Sequence, residues 1–219
     1  MLPLKKKKIW QFELKRLYYN FLELERIERS AFLMTQCNWP GQNETMRAYH
    51  DNEWCVPNFN DTYIFEMLNL EGAQAGLSWS IVLAKREEYK KAFRDFDIEY
   101  CAQLSDVELE TIRQNYNIIK NLAKIKAVRS NALAVLQLKK EIRSFSDFLW
   151  SYVDFKPVIN QWTIEGQVPA KNELSEKISK DLKKRGFKFV GPVIVYSFLQ
   201  AIGMVDDHVV TCSHHSANR

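Results

Sequence analysis

The chain of 219 residues is long enough to bury a core as one domain or a small two-lobed one, and its 46% hydrophobic and 26% charged residues are typical of a soluble globular protein. No apolar run approaches the roughly 18 to 20 residues of a membrane helix, and the lysine run 5–8 is not followed by an apolar stretch with a cleavage site. We therefore expect a cytoplasmic protein with no membrane partner. The net charge of +4 lies wholly in residues 1–30, because the rest of the chain holds 23 basic and 23 acidic residues, so nucleic-acid binding would depend on local basic patches.

Residues 1–33 are interpreted as a basic N-terminal extension, separate from a single domain over residues 34–219. Leu14, Leu17 and Phe21 recur at helical spacing among lysines and glutamates. This pattern indicates an appended helix or a disordered arm, and the alternative is an arm that steers the protein to DNA. A further hypothesis starts translation at Met34, which would make the extension non-native.

Helix-length periodic segments follow along the domain. They cover residues 61–70, 75–94, 105–115, 121–140, 144–153, 173–184 and 192–202. The clearest boundaries belong to the last segment, where Pro192 follows Gly191 and Gly203 ends the pattern. Only seven glycines and no Asn-Gly pair argue against an extensive sheet. The sequence predicts an all-α fold.

A carboxylate, an amide and an indole lie close together in residues 70–79. Glu71, Gln74 and Trp79 supply them, with glycines in between. Such groups suit the reading and stacking of a base, since base–aromatic stacking contributes about 1 to 3 kcal/mol. In the alternative interpretation, Trp79 belongs to the core and Glu71 caps a helix.

Two glycines five residues apart, Gly186 and Gly191, separate a basic helix end from an apolar helix. This is the form of a helix-hairpin-helix, in which glycines let the backbone approach a phosphate and the second helix presents free N–H groups to it. The alternative is a solvated turn with ordinary lysines. The surface is locally basic through Lys183, Lys184, Arg185 and Lys188.

Two pairs of metal-binding side chains lie near the two ends of the domain. Cys37 and His50 close a loop, and His208 and Cys212, four residues apart, would share one face of a helix. Two cysteines and two histidines suit tetrahedral Zn²⁺ with no open position, which is a structural site and not a catalytic one. Alternatively, these are unrelated packing cysteines and surface histidines. The rival ligands and spare thiols are His214, His215, Cys55 and Cys101.

Together these segments resemble the 3-methyladenine DNA glycosylase I family over about residues 35–212. The resemblance depends on the motifs at 37–39, 48–54, 71–79, 186–191 and 205–212. It implies a helix-hairpin-helix DNA glycosylase fold in which one structural zinc ion joins the N- and C-terminal segments. The implied zinc ligands are Cys37, His50, His208 and Cys212.

The implied activity is base-excision repair: the enzyme flips a nucleotide out of alkylated double-stranded DNA and hydrolytically releases free 3-methyladenine. Glu71 and Tyr49 are the expected catalytic residues, with Glu71 accepting hydrogen bonds from the base. Trp79, Trp39 and Ser197 are expected to bind the base, with Trp79 stacked on its ring.

The resemblance also assigns the contacts with DNA. Gly76 and Leu77 match the segment that probes the gap left by the flipped base. In the hairpin, the expected DNA-binding residues are Lys184, Arg185, Gly186, Lys188 and Gly191. No lysine matches the nucleophile of bifunctional relatives, so we expect a monofunctional enzyme without lyase activity, acting as a monomer.

The general base is the least defined part of this mechanism. Asp206 aligns with an aspartate that much of the wider superfamily uses to stabilise developing positive charge. The favoured interpretation is instead that Asp206 caps the helix of His208 and Cys212.

Three positions depart from the family pattern: Met46 replaces a tyrosine at the pocket edge, Cys55 replaces a glycine, and Asn117 replaces a glycine whose left-handed backbone asparagine tolerates. Two alternatives to the excision of 3-methyladenine follow. One is a zinc-stapled DNA-damage-binding protein without excision, and the other is a glycosylase whose alkylpurine specificity is shifted by Met46.

Overall fold

The computed structural model describes residues 36–219, so the predicted extension over residues 1–33 lies outside the described part. Within residues 36–219 the elements are almost all helical, and the prediction of a helical fold is confirmed. In chain order they are α1 (Glu44–Asn52), α2 (Asp61–Gln74), α3 (Trp79–Leu83), α4 (Arg86–Ala92), α5 (Ile98–Gln103), α6 (Asp106–Asn115), α7 (Leu122–Leu138), α8 (Phe145–Trp150), β1 (Val158–Ile159), α9 (Glu173–Lys184), α10 (Pro192–Ala201) and β2 (Val205–Asp206). None of these helices is both long and apolar enough to cross a bilayer.

Helix α2 is the centre of the core. Its N-terminus is capped by Asn60, whose side chain accepts a hydrogen bond from the Tyr63 N–H at 3.0 Å. Every residue from Ile64 to Ala73 is buried, as expected for a helix enclosed on all sides. It packs against α3, α7, α8 and α10. Side chains on its last turn, including Glu71, are therefore held in fixed positions.

The last long helix, α10, has the boundaries that its sequence predicts. Pro192 stands at its first turn after Gly191, and Gly203 follows its end with a φ of +69°. A Cβ on Gly203 would lie 2.1 Å from the carbonyl carbon of Val56. Glycine is required at Gly203 for both reasons.

The predicted helix over 75–94 is broken into two. Gly76, with a φ of +77°, lies in a turn that separates α2 from α3, and α4 begins after a second turn at Lys85. The short helices α1 and α5 were absent from the periodic segments because too few apolar residues repeat in them.

The prediction that His208 and Cys212 lie on a helix is wrong. Val205 and Asp206 form a two-residue strand paired in parallel with Val158 and Ile159, and the chain after residue 206 consists of loops and turns. The interpretation of Asp206 as a helix N-cap is wrong for the same reason. A spacing of four residues also fits a turn that is fixed by distant contacts.

Candidate active site

A cavity of about 230 Å³ opens beside the last turn of α2. Its walls combine aromatic rings with a few polar side chains, which is the usual composition of a small-molecule site. The lining residues are Trp39, Tyr49, Trp54, Glu71, Gln74, Trp79, Ser197 and Gln200. All five residues that the sequence assigned to catalysis or base binding therefore lie around one cavity.

Glu71 supplies the carboxyl group of this cavity. Its side chain is buried, and no hydrogen bond from residues 36–219 reaches the carboxylate. Burial raises the pKa of Glu71 to about 8, because an ion without partners is poorly solvated there. The group therefore takes up a proton easily when the cavity is empty and favours its charged form beside a cation.

Aromatic rings form the walls of a slot around this carboxyl. The rings of Tyr49 and Trp79 are 5.3 Å apart and tilted, and Trp39 meets Trp54 edge-on at 5.0 Å. The pKa of Tyr49 is raised well above its ordinary value, first by burial and then by the nearby charge of Glu71. Tyr49 is therefore a neutral phenol that can donate a hydrogen bond.

Two indole N–H groups in this slot have no acceptor. The Nε1 atoms of Trp39 and Trp79 are buried without a hydrogen-bond partner among the described residues. A buried donor without a partner costs about 1 to 3 kcal/mol. The two indole N–H groups therefore remain unsatisfied among residues 36–219.

Two lining residues, Gln200 and Trp54, were not assigned to the pocket from the sequence. Gln200 follows the predicted pocket residue Ser197 by three positions on the same helix. That spacing places both on the same helix face and was a usable signal. Trp54 lies in the turn that follows α1, and helical spacing cannot predict which way a turn residue faces.

Met46 lies in the core on α1 and is not among the residues that line the cavity. Cys55 has the left-handed backbone for which glycine is suited, with a φ of 60°. The expectation for Asn117 is wrong, since its φ is not positive. It is held instead by Lys85, whose Nζ donates to the side-chain oxygen of Asn117 at 2.6 Å.

The turn between α2 and α3, residues 75–78, projects at the rim of the cavity. Gly76 is exposed with open space around it, and Leu77 is 37% exposed. Lys124 on α7 holds the base of this turn, donating from Nζ to the carbonyl oxygens of Ala73 and Ala75 at 2.8 and 2.6 Å. The predicted DNA-probing residues thus stand on a firmly anchored support.

The hairpin, residues 185–191, connects α9 to α10. Gly186 has a φ of +90°, whereas Gly191 has a φ of −64° and does not need left-handed freedom. Lys188 is exposed, but Arg185 forms an ion pair with Glu141 at 2.9 Å. Lys184 lies 3.7 Å from Asp181, so among these three predicted contacts Lys188 is the one that forms no ion pair within residues 36–219.

Three of the four predicted zinc ligands meet directly. The ligand atoms of Cys37, His50 and Cys212 lie within 4.8 Å of one another, and the Sγ of Cys212 is 3.8 Å from the Nε2 of His50. The ring of His208 lies 4.8 Å from that of His50, and its Nε2 is buried without a partner. All four side chains are buried. We refer to these four residues as the Cys-His cluster.

Carboxylates orient both histidines of this cluster. The Nδ1 of His50 lies 2.6 Å from Asp51, and that of His208 lies 2.8 Å from Asp206. A carboxylate on Nδ1 leaves Nε2 free as a metal ligand, which is the usual arrangement around zinc-bound histidines. The donor set and its orientation fit a structural zinc ion.

The rival ligands fit less well. Both nitrogens of His215 are engaged, Nε2 with the Asn160 carbonyl and Nδ1 with the Ala217 N–H. Cys101 donates to the Phe93 carbonyl, elsewhere in the core. The Sγ of Cys55 accepts from the Asp207 N–H at 3.4 Å. His214 lies near the cluster, 5.4 Å from the His50 ring, but is partly exposed.

Asp206 is committed to this cluster and does not line the cavity. Burial raises its pKa, but hydrogen bonds from His208 and Ser216 outweigh burial and hold the pKa well below the ordinary range. A carboxylate with these partners orients a histidine and is not placed to act on a bound base.

Comparisons with known proteins agree with this geometry. Residues 39–215 match the family model described as methyladenine glycosylase. The chain is 45% identical to DNA-3-methyladenine glycosylase 1 of Escherichia coli K12, over 85% of this chain and 100% of the relative. It is 43% identical to a DNA-3-methyladenine glycosylase of Haemophilus influenzae, over 82% and 97%. A 3-methyladenine DNA glycosylase I variant solved in complex with 3-methyladenine superposes with a TM-score of 0.80, at 36% identity over 83% of this chain and 98% of that one.

Proposed function

The chain belongs to the methyladenine glycosylase family, and from that premise we propose that its cavity receives the flipped base of alkylated DNA. The protein is a DNA-3-methyladenine glycosylase that excises 3-methyladenine in base-excision repair. The observation that carries the assignment of the site is Glu71, a buried carboxyl without a partner, facing an aromatic slot.

Charge explains how this site selects its substrate. Adenine alkylated at N3 in DNA is cationic, whereas ordinary adenine is neutral. A cation in the slot is attracted by the faces of Tyr49 and Trp79 and favours the ionised form of Glu71. Neutral adenine gains neither effect, so binding in this cavity discriminates between the two bases.

The reaction needs little more from the protein. The glycosidic electron pair leaves with the cationic base, which departs as neutral 3-methyladenine, and water adds to the resulting sugar cation with loss of a proton. Neutral Tyr49 donates a hydrogen bond to the base, and Glu71 accepts one. None of the eight lining residues is a lysine, which supports hydrolysis without a lyase step.

For the DNA itself, we propose that the hairpin and the turn at 75–78 act together. The N–H groups of the hairpin and the start of α10 would hold a phosphate, with Lys184 and Lys188 adding charge. Leu77 would fill the gap left by the flipped nucleotide. Alkylated duplex DNA is thus the partner, and we expect the protein to act as a monomer.

We also propose that the Cys-His cluster holds one structural zinc ion. Bound there, zinc would supply a cross-link between the two ends of the domain and no chemistry. Tyr49 immediately precedes His50, and Trp39 packs 5.6 Å from the His50 ring. The cluster therefore positions two walls of the cavity.

The direct test is to incubate the protein with methylated duplex DNA and separate the released bases by chromatography. We expect free 3-methyladenine from the wild-type protein, and strongly reduced release from Glu71→Gln. Binding to methylated DNA without any release of a base would instead support the damage-binding alternative. Preferential release of another alkylpurine would support a shifted specificity.

A further inference from the structure

Gln200 occupies the wall of the cavity on the last turn of α10. It is 9% exposed and lines the cavity together with Ser197, one turn earlier on the helix. A buried amide at such a site has two faces of opposite character, since one end donates hydrogen bonds and the other accepts them. Which end faces the base determines which base is favoured.

Asp207 settles the orientation of this amide. The Nε2 of Gln200 donates to the Asp207 Oδ2 at 2.6 Å. The other oxygen, Oδ1, accepts from the Asn160 Nδ2 and the Trp162 Nε1, each at 2.6 Å. Three donors hold this buried carboxylate in place. A carboxylate only accepts here, so the reversed amide would place two acceptors against each other.

The acceptor end of Gln200 is therefore left for the cavity. No donor from residues 36–219 reaches its Oε1, and the side chain forms part of the cavity wall. The cavity thus presents two unpaired acceptors, Oε1 of Gln200 and the carboxylate of Glu71. An adenine ring matches such a wall through its exocyclic amino group, which carries two N–H donors.

We propose that Gln200 is a specificity-determining residue whose Oε1 accepts a hydrogen bond from the 6-amino group of the alkylated adenine, with Asp207 as the positioning residue that fixes the amide. The inference rests on the proposed function of the cavity. It predicts discrimination against 6-oxo purines: 3-methylguanine would bring its own acceptor against Oε1, and two facing acceptors repel.

The test is the ratio of two bases released from one methylated duplex that contains both 3-methyladenine and 3-methylguanine. Gln200→Met keeps the length of the side chain and removes the acceptor. We expect 3-methyladenine release to fall about tenfold, the usual effect of one hydrogen bond, without a parallel loss for 3-methylguanine. The ratio therefore falls about tenfold or more.

Gln74→Met is the matched control, because Gln74 is the other glutamine on the cavity wall. Its Nε2 donates to the carbonyl of Leu77 at 2.9 Å, so it supports the turn at 75–78. We expect this variant to slow the release of both bases by the same factor. The ratio is independent of the folded fraction, since the same enzyme molecules release both bases.

The outcomes are separable. If the wild-type protein releases no 3-methyladenine, the proposed function itself fails. If it does, and Gln200→Met leaves the ratio unchanged, the role of Gln200 is overturned while the function stands. Should the variant release neither base, the side-chain amide signals of Gln200 in the ¹⁵N-labelled wild-type protein decide: they must shift when 3-methyladenine binds. Their constancy while the Trp79 indole signal moves would overturn the proposal.

Discussion

Asn131 and Lys188 form a reciprocal contact between α7 and the hairpin. The Oδ1 of Asn131 accepts from the Lys188 N–H at 2.8 Å, and its Nδ2 lies 3.4 Å from the Lys188 carbonyl oxygen. The same Nδ2 donates to Asn69 on α2 at 2.9 Å. A buried amide thus ties the proposed DNA-binding hairpin to the helix that carries Glu71.

Replacing Asn131 with alanine is expected to loosen the hairpin without changing the cavity. The loss leaves buried polar groups without partners, which costs about 2 to 3 kcal/mol of unfolding free energy. Binding of methylated duplex, measured by fluorescence anisotropy, should weaken about tenfold, whereas binding of free 3-methyladenine should not change. Asn115→Ala, at an exposed asparagine on α6, is the control. Equal losses in binding of duplex and free base would contradict this separation.

The contacts of Lys124 lead to a similar prediction for the turn at 75–78. Lys124→Met removes the ammonium that holds two carbonyl oxygens at the end of α2, so the turn becomes mobile. We expect single-turnover excision from duplex DNA to slow about tenfold, while free 3-methyladenine still quenches tryptophan fluorescence normally. Lys140→Met, at an exposed lysine beyond the other end of α7, should have no effect. Unchanged excision by Lys124→Met would show that the anchor is dispensable.

Glu71 makes the protein sensitive to pH. Its folded-state pKa of about 8 lies above the ordinary value of 4.5, so between these values the folded state binds more protons than the unfolded one. The unfolding free energy therefore falls as pH rises through this window, by on the order of a few kcal/mol. Urea unfolding should show Glu71→Gln to be more stable than wild type at pH 9, with a smaller difference at pH 5. Glu99→Gln, at an exposed glutamate, is the control, and a difference that is independent of pH would refute the assignment.

The sequence predicted the parts of the site that lie close together along the chain. Glu71 and Trp79 share one short segment, and the glycines and lysines of the hairpin share another. Gln200 and Trp54 come together because the turn after α1 lies against α10, where the Cys55 N–H donates to the Gln200 carbonyl at 2.9 Å. Residues so far apart along the chain leave no local pattern that predicts this contact. Only the structure could show that Gln200 and Trp54 line the cavity.

Long-range pairing also explains the failed helix at His208 and Cys212. The hydrogen bonds between β1 and β2 hold Val205 and Asp206 extended, and the Asp206 carboxylate then accepts from the backbone and ring of His208. Residues far apart in sequence thus override a local spacing that is compatible with a helix. The four residues of the Cys-His cluster nevertheless lie close together, and their role as zinc ligands stays a prediction.

Gly203 is expected to be the least replaceable glycine among the described residues. Gly203→Ala would force a left-handed backbone on alanine and drive its Cβ into the backbone of Val56 and Pro57. We expect a loss of at least ~3 kcal/mol, visible as a fall in melting temperature of about 10 °C. Gly166→Ala, with open space around its Cβ, should melt close to wild type. Similar melting temperatures for the two variants would disprove the close approach.

We expect that removing the metal from the Cys-His cluster lowers the stability of the fold more than it lowers the rate of excision. Cys37 and Cys212 lie near the two ends of the described chain, so a shared ion closes a long loop, and its loss frees both ends. Elemental analysis should find one zinc per wild-type chain and a clear deficit in Cys212→Ser, which should also melt well below wild type. Excision per folded molecule should change much less, because no group of the cluster lines the cavity. Cys101→Ser, at a buried thiol outside the cluster, should keep its zinc, and an unchanged melting temperature of the metal-free protein would refute the structural role.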